Sequence, residues 1–148
     1  MTWTAIHRDA KRLARLLLPR GAFVGIVALA RGGLVPAAIV AQELNVRTIE
    51  TLSIASYDET VQGPVTVLNP PAAALTSEGR GWLMIDDLVD TGSTARAARK
   101  LLPAAHFAVI YAKPRGLPMV DTYVAEVDQG VWLDFPWDSK PAGSRTSP

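Results

Sequence analysis

Leu83-Met84-Ile85-Asp86-Asp87-Leu88-Val89-Asp90-Thr91-Gly92-Ser93-Thr94-Ala95 is the stretch that decides how this 148-residue chain folds. Trp82 to Ile85 is a short apolar run of the kind found in strands buried on both faces. Asp86 and Asp87 then read as an acidic turn at the strand's carboxyl end, and Thr94 to Leu102 reads as a helix. Outward from this centre the same alternation repeats. Phe23 to Ala30 is an apolar strand broken by Arg31-Gly32-Gly33, and Leu34 to Leu44 is a helix with Pro36 in its first turn. Val46 to Ser53 is a strand rich in β-branched residues. His106 to Ala112 and Thr122 to Val127 are two more strands. Ile6, Ala10, Leu13, Ala14 and Leu17 recur at helical spacing, so Thr4 to Leu18 begins the chain as a helix. Strands alternating with helices predict an α/β fold, an open, mostly parallel sheet flanked by helices on both faces. Ligands of such sheets sit outside the carboxyl ends of the strands, so the loops that follow strands are where chemistry is expected.

The whole of 1–148 reads as one domain. Between Tyr57 and Gly81 the periodicity lapses into Gly63-Pro64, Asn69-Pro70-Pro71 and Gly79-Arg80-Gly81, with one short strand possible at Val65 to Leu68. Loops of this length in compact domains are often functional, so 57–81 is expected to be a flexible flap, or small hood, over the site. Residues 140–148, rich in Pro, Gly, Ser and Thr, are expected to fray as a tail.

The acidic stretch also carries a chemistry. Adjacent carboxylates suit the vicinal hydroxyls of a ribose, and Asp87, with Asp86 as a second candidate, can help hold Mg²⁺. Three aspartates within five positions are costly after an apolar strand unless a cation or a polyol faces them. The unpaired N–H groups of the Thr91-Gly92-Ser93-Thr94 turn and the dipole of the helix it opens make an anion site. Gly92 allows close approach of the backbone, and the three hydroxyls add donors. No Walker lysine is present, so a sugar phosphate suits the turn better than a triphosphate. The Asp87-x-x-Asp90-Thr91 spacing also differs from the Asp-x-Asp-x-Thr of haloacid dehalogenases.

Composition narrows the class further. A net charge of +1 argues against a nucleic-acid partner. The absence of cysteine excludes disulfides, thiolate metal sites and a cysteine nucleophile, and agrees with a cytoplasmic location. Met1 to Arg20 is interrupted by charges, unlike a secretory signal, and no apolar run is long enough to span a membrane. The first helix is basic and amphipathic, so peripheral contact with the inner face of the cell membrane is the most that is expected. A helix packed on a sheet is the plainer account.

With these residues in view, the segment Ile85 to Ala95 resembles the signature of the type I phosphoribosyltransferases. The wider chain resembles the bacterial xanthine-guanine group of that family. The resemblance rests on Ala30-Arg31-Gly32-Gly33-Leu34-Val35-Pro36, Ser56-Tyr57-Asp58, Ile85 to Ala95, Ala112-Lys113-Pro114 and Trp137-Asp138. It implies a homo-oligomer, dimer or tetramer, that takes phosphoribosyl diphosphate and a 6-oxopurine with Mg²⁺. A hypoxanthine-guanine enzyme, or a non-catalytic nucleotide-binding regulator of the same fold, are the alternatives.

The resemblance assigns roles residue by residue. Phosphoribosyl diphosphate would lie on Arg31, Gly32 and Asp86-Asp87-Leu88-Val89-Asp90-Thr91-Gly92-Ser93-Thr94. Arg31 would assist departure of the diphosphate, and in the resembling family this loop can carry a cis peptide, which would fall at Arg31-Gly32. Asp90 would stand by N7 of the purine as proton acceptor; capping the following turn is the other role open to it. Lys113 would donate to O6, Trp132 would stack on the base, and Leu133 would belong to the same purine-covering segment. Trp3, Trp82 and Trp137 are expected to be packing residues. The resemblance fails at one place: basic residues expected after Ser56-Tyr57-Asp58 are missing, with no lysine or arginine before Arg80.

Overall fold

The computed structural model describes residues 1–56 and 65–138. Six strands form one sheet: β1 (Gly25–Ala30), β2 (Ile49–Ser56), β3 (Val65–Asn69), β4 (Trp82–Val89), β5 (His106–Ala112) and β6 (Thr122–Glu126), in the order β3-β2-β1-β4-β5-β6. All neighbouring pairs are parallel except β2 with β3, which is antiparallel. From β1 the chain builds outward to β2 and β3, then returns to lay β4, β5 and β6 on the other side. Strand order therefore reverses between β1 and β4, the switch point where α/β sheets open a crevice.

Alternation along the strands divides the core into two layers. Ile26, Ala28, Leu83, Ile85, Ala108 and Ile110 face α1 (Trp3–Leu17) and α2 (Leu34–Leu44). Val27, Leu29, Met84, Phe107 and Val109 face α4 (Ser93–Leu101) and the short α3 (Ala72–Leu75). The expected α/β sandwich is thus observed. The apolar stripe of α1 (Ile6, Ala10, Leu13, Ala14, Leu17) is buried on the sheet, so it is not available to a membrane.

Three boundaries depart from the sequence reading. The second strand starts at Ile49, not Val46, because Asn45 ends α2 in the left-handed region (φ 54°) and the Val46 N–H bonds back to the Ala41 carbonyl at 2.9 Å. That Schellman-type cap uses up the residues expected to open the strand. Asp86 and Asp87 are not in a turn: β4 continues through them to Val89, paired with β5 at Asp86–Val109 and Leu88–Tyr111. Its pairing with β1 stops at Ala28–Ile85, so both aspartates lie on an edge that β1 has left open to the crevice.

The third departure concerns the flap. Residues 65–81 are built into the fold, as the edge strand β3, the helix α3 and a turn ending at Gly81. Glu50 on β2 holds the start of α3, accepting from the N–H groups of Ala73 and Ala74 at 2.9 Å each. Residues 57–64, the remainder of the expected flap, and the expected tail at 140–148 lie outside the described residues.

Candidate active site

The crevice at the switch point is walled by the loop after β1 and the carboxyl half of β4. A cleft of about 570 Å³ is lined by Arg31, Gly32, Leu34, Val35, Asp87, Trp137 and Asp138. Arg31 is exposed at its mouth, and the peptide bond Ala30–Arg31 is cis, one residue before the position anticipated. Gly32 is required by contact rather than by its own φ: a Cβ there would collide with the Asp87 carboxylate. Gly33 is in the same position against the Ile85 carbonyl. The two glycines let the loop lie directly on β4.

Asp86 lines a separate pocket of about 130 Å³ formed by Leu88 to Ala95 and Phe107. The two adjacent carboxyl groups line neighbouring cavities and still hydrogen-bond to each other at their meeting point. Withdrawal from water pushes the Asp86 carboxyl well above its ordinary value of 3.8, and the Asp87 charge adds to this. Burial raises Asp87 as well, against the hydrogen bonds it accepts from the Leu88 N–H and the Trp137 indole, while Asp138 reinforces the rise.

The Thr91 to Thr94 turn opens a helix, as expected. Gly92 adopts φ +79° and starts α4, and a side chain there would meet Met119 and Arg96. The Arg96 N–H closes the first α4 bond to the Gly92 carbonyl at 2.8 Å, which leaves the N–H groups of Ser93 to Ala95 directed at the pocket they line. Thr91, Ser93 and Thr94 are exposed beside them. Leu88 packs partly against the core, and the Val89 side chain is buried in it, so Val89 offers a ligand only backbone.

Asp90 does not cap the turn; α4 has no side-chain cap. Its carboxylate is held instead by two donors from distant loops. Lys113 Nζ donates to Oδ2 at 2.8 Å, and Gln129 Nε2 donates to Oδ1 at 2.6 Å. Lys113 follows β5 and is 4 % exposed, far more buried than a strand-end lysine in solvent. Asp90 is its salt-bridge partner and remains accessible on its outer side.

The tryptophans divide differently from expectation. Trp82 is a core residue, 6 % exposed. Trp137 is not merely packing: its Nε1 donates to Asp87 Oδ2 at 3.3 Å, and its ring stacks on Phe135 at 5.0 Å with an interplanar angle of 9°. Trp3 is 58 % exposed and leans on Trp137 at 5.9 Å. Trp132 is 84 % exposed, while Leu133 packs partly against the core.

Residues 2–143 match the phosphoribosyl transferase domain family. The sequence is 52% identical over 140 residues to the xanthine-guanine phosphoribosyltransferase of Nitratidesulfovibrio vulgaris strain DP4, covering 95% of this chain and 84% of that protein. It is 51% identical over 138 residues to the same-named protein of Chromohalobacter salexigens, covering 93% and 82%. The chain belongs to the xanthine-guanine phosphoribosyltransferase family. The fold agrees: the crystal structure of a purine phosphoribosyltransferase from Pyrococcus horikoshii superposes with a TM-score of 0.78 at 25% identity, over 98% of this chain and 97% of that one.

Set in this phosphoribosyltransferase fold, the predicted residues other than Trp132 and Leu133 fall into three groups. Arg31, Gly32 and Asp87 share the large cleft, and Asp86 shares the smaller pocket with Thr91 to Thr94. Asp90 and Lys113 form one cluster. Gln129, Trp137 and Asp138 were missed as contributors. Gln129 lies in the polar loop after β6, and the rule that loops after strands carry ligands was signal enough to inspect it.

Proposed function

We propose that this chain is a purine-salvage enzyme transferring the 5-phosphoribosyl group of phosphoribosyl diphosphate to N9 of guanine or xanthine, and more weakly hypoxanthine. The products are GMP or XMP and diphosphate. The observation that carries the reading is the buried Lys113 ammonium paired with Asp90 next to the anion turn. Only a base with an acceptor at position 6 satisfies that ammonium, because a lysine donates and cannot accept.

In the reaction N9 bonds to C1′ of the ribose as the bond from C1′ to the diphosphate oxygen breaks. The electron pair leaves with the diphosphate, and the N7 proton passes toward Asp90. The turn from Thr91 to Thr94 holds the 5′-phosphate through backbone N–H groups and hydroxyls, which fixes C1′ near the base. Arg31 and the Gly32 backbone hold the diphosphate. Trp132, exposed and unencumbered, stacks on the purine, with Leu133 anchoring its segment to the core.

The donor set also fits Mg²⁺. Among the described residues no group of three or more acidic or histidine side chains converges on one point. Mg²⁺ needs only one or two carboxylates, completed by substrate oxygens and water. Asp87, with Asp86 beside it, would hold the ion, and both are carboxylates whose buried charge a cation would relieve. When bound, Mg²⁺ would neutralise diphosphate charge. The expected assembly is a homodimer or homotetramer, which light scattering would settle. Among the described residues no helix is long and apolar enough to cross a membrane.

The test is to incubate the protein with Mg²⁺, phosphoribosyl diphosphate and guanine, xanthine, hypoxanthine or adenine in turn, and to measure nucleotide. Product is expected with the three 6-oxopurines. No product with any base would overturn the function, and product with adenine alone would overturn the role of Lys113.

A further inference from the structure

Among the described residues Gln129 is the one neutral side chain that hydrogen-bonds to the Asp90 carboxylate, and it does so across 39 residues of sequence. Its two ends do different things. Nε2 donates to Asp90 Oδ1 at 2.6 Å, and Oε1 accepts from the Arg115 N–H at 3.0 Å. Arg115 lies in the tight turn that follows Lys113, closed by the Gly116 N–H on the Lys113 carbonyl at 2.9 Å. That turn is pressed against Asp90: a Cβ on Gly116 would sit 2.9 Å from the Asp90 carbonyl oxygen. One amide therefore ties together the carboxylate and the turn that presents the lysine.

In this arrangement Asp90 has one donor on each oxygen, Lys113 on Oδ2 and Gln129 on Oδ1. Each carboxylate oxygen has two acceptor positions, so room remains for a further donor. On the function proposed above, on which this inference rests, O6 of the base competes with Asp90 for the Lys113 ammonium. Once the ammonium turns to O6, the carboxylate has lost one restraint just when its orientation toward N7 matters. The amide, whose donor sits on Oδ1, takes no part in that exchange.

We propose that Gln129 is a positioning residue that holds Asp90 toward N7 when the purine engages Lys113. It does not touch the reacting atoms; it acts through the carboxylate. A purely structural tie between the β6 loop and the Lys113 turn would need only Oε1, whereas positioning of Asp90 needs Nε2. Gln129→Glu separates the two, because it keeps an acceptor for the Arg115 N–H while replacing the donor at Asp90 with a second carboxylate. Gln129→Met removes both ends at similar length.

The variants and the parent protein are assayed side by side with guanine at about pH 8, where an introduced glutamate is ionised. For Gln129→Glu, kcat is expected to fall about 10- to 100-fold, the scale of a misplaced reacting group. KM for phosphoribosyl diphosphate should stay within about twofold, because the donor side is untouched. Its melting temperature should stay near that of the parent, while Gln129→Met should lose both kcat and melting temperature. An unchanged kcat in Gln129→Glu would overturn the proposal. So would a loss matched by an equal rise in donor KM and a fall in melting temperature as large as that of Gln129→Met. Absence of turnover in the parent protein itself would instead overturn the underlying function, and the role of Gln129 with it.

Discussion

Two groups of aspartate stand three residues apart on the same strand end and live in opposite electrostatic conditions. Asp86 and Asp87 are half-buried side by side, and loss of water pushes both up from 3.8, most strongly at Asp86, where the Asp87 charge adds to it. Asp90 has a donor on each oxygen, one of them a buried ammonium. The first pair is arranged for something that must arrive with positive charge or hydroxyls. The second is already compensated by the protein and can exchange one partner for another. The difference teaches that an acidic run need not be one environment: β4 carries the first pair where β1 has left it, while Asp90 lies past the last residue of the strand, within reach of the loops after β5 and β6.

The strongest way to break this division is Asp90→Asn. It keeps the shape but removes the proton acceptor and the counter-charge of Lys113, so kcat should fall about 10²- to 10⁴-fold while donor KM changes little. Steady-state kinetics with both substrates varied would check it, and unchanged turnover would reduce Asp90 to a structural partner of Lys113. Next in size is Lys113→Met. Loss of a charged hydrogen bond of about 1.5–3 kcal/mol to O6 should lower kcat/KM for guanine by roughly 10- to 100-fold and narrow the preference against adenine. Equal losses with every base would show that Lys113 does not read position 6.

Smaller effects test the other aspartates. Trp137→Phe keeps a ring to stack on Phe135 but removes the indole donor to Asp87. KM for phosphoribosyl diphosphate should rise about 2- to 10-fold with base KM unaffected, as for one hydrogen bond of about 0.5–1.5 kcal/mol. A shift in base KM alone would place Trp137 on the purine side. The smallest effect concerns stability. Because the folded-state carboxyl of Asp86 titrates above its unfolded value, the native state binds the proton more tightly, and folding stability falls as pH rises through that range. Removing the charge with Asp86→Asn should therefore raise the melting temperature by about a few degrees at neutral pH, in buffer without Mg²⁺ or donor. The gain should shrink as the pH falls toward 4. Melting curves at several pH values would decide it, and a gain independent of pH would exclude charge burial as its cause.

Much of this was legible in the sequence, and the reasons are local. The apolar runs at Phe23 to Ala30 and His106 to Ala112 are strands because nothing polar interrupts them, and Leu34 to Leu44 is a helix with its proline where the first turn tolerates one. The Thr91 to Thr94 turn is readable because its chemistry lies in consecutive residues. Where the reading failed, the cause was a partner far away in sequence. Asp86 and Asp87 looked like a turn because charge seldom continues a strand, but pairing with Val109 and Tyr111 of β5 carries the strand through them. Within 65–81 only the short strand at Val65 to Leu68 was readable, because nothing in the segment's own pattern reveals that Glu50 of β2 caps α3 or that the rest is built against the sheet. Trp137 looked like filler because an indole gives no sign of which carboxylate it will meet.

By itself, the sequence determined the α/β class and the strand-to-helix turn at Thr91 to Thr94, and it supplied the residues proposed to hold the donor, a metal and a 6-oxopurine. The class and the turn follow from periodicity and turn chemistry within a few residues, and the purine roles follow from the resemblance to the phosphoribosyltransferases. Only the tertiary structure decided that Asp90 is shared by Lys113, 23 residues on, and Gln129, 39 residues on, and that Asp86 and Asp87 open onto different cavities. Those facts depend on parallel strand register and on where β1 leaves β4, long-range consequences of packing that no local pattern encodes.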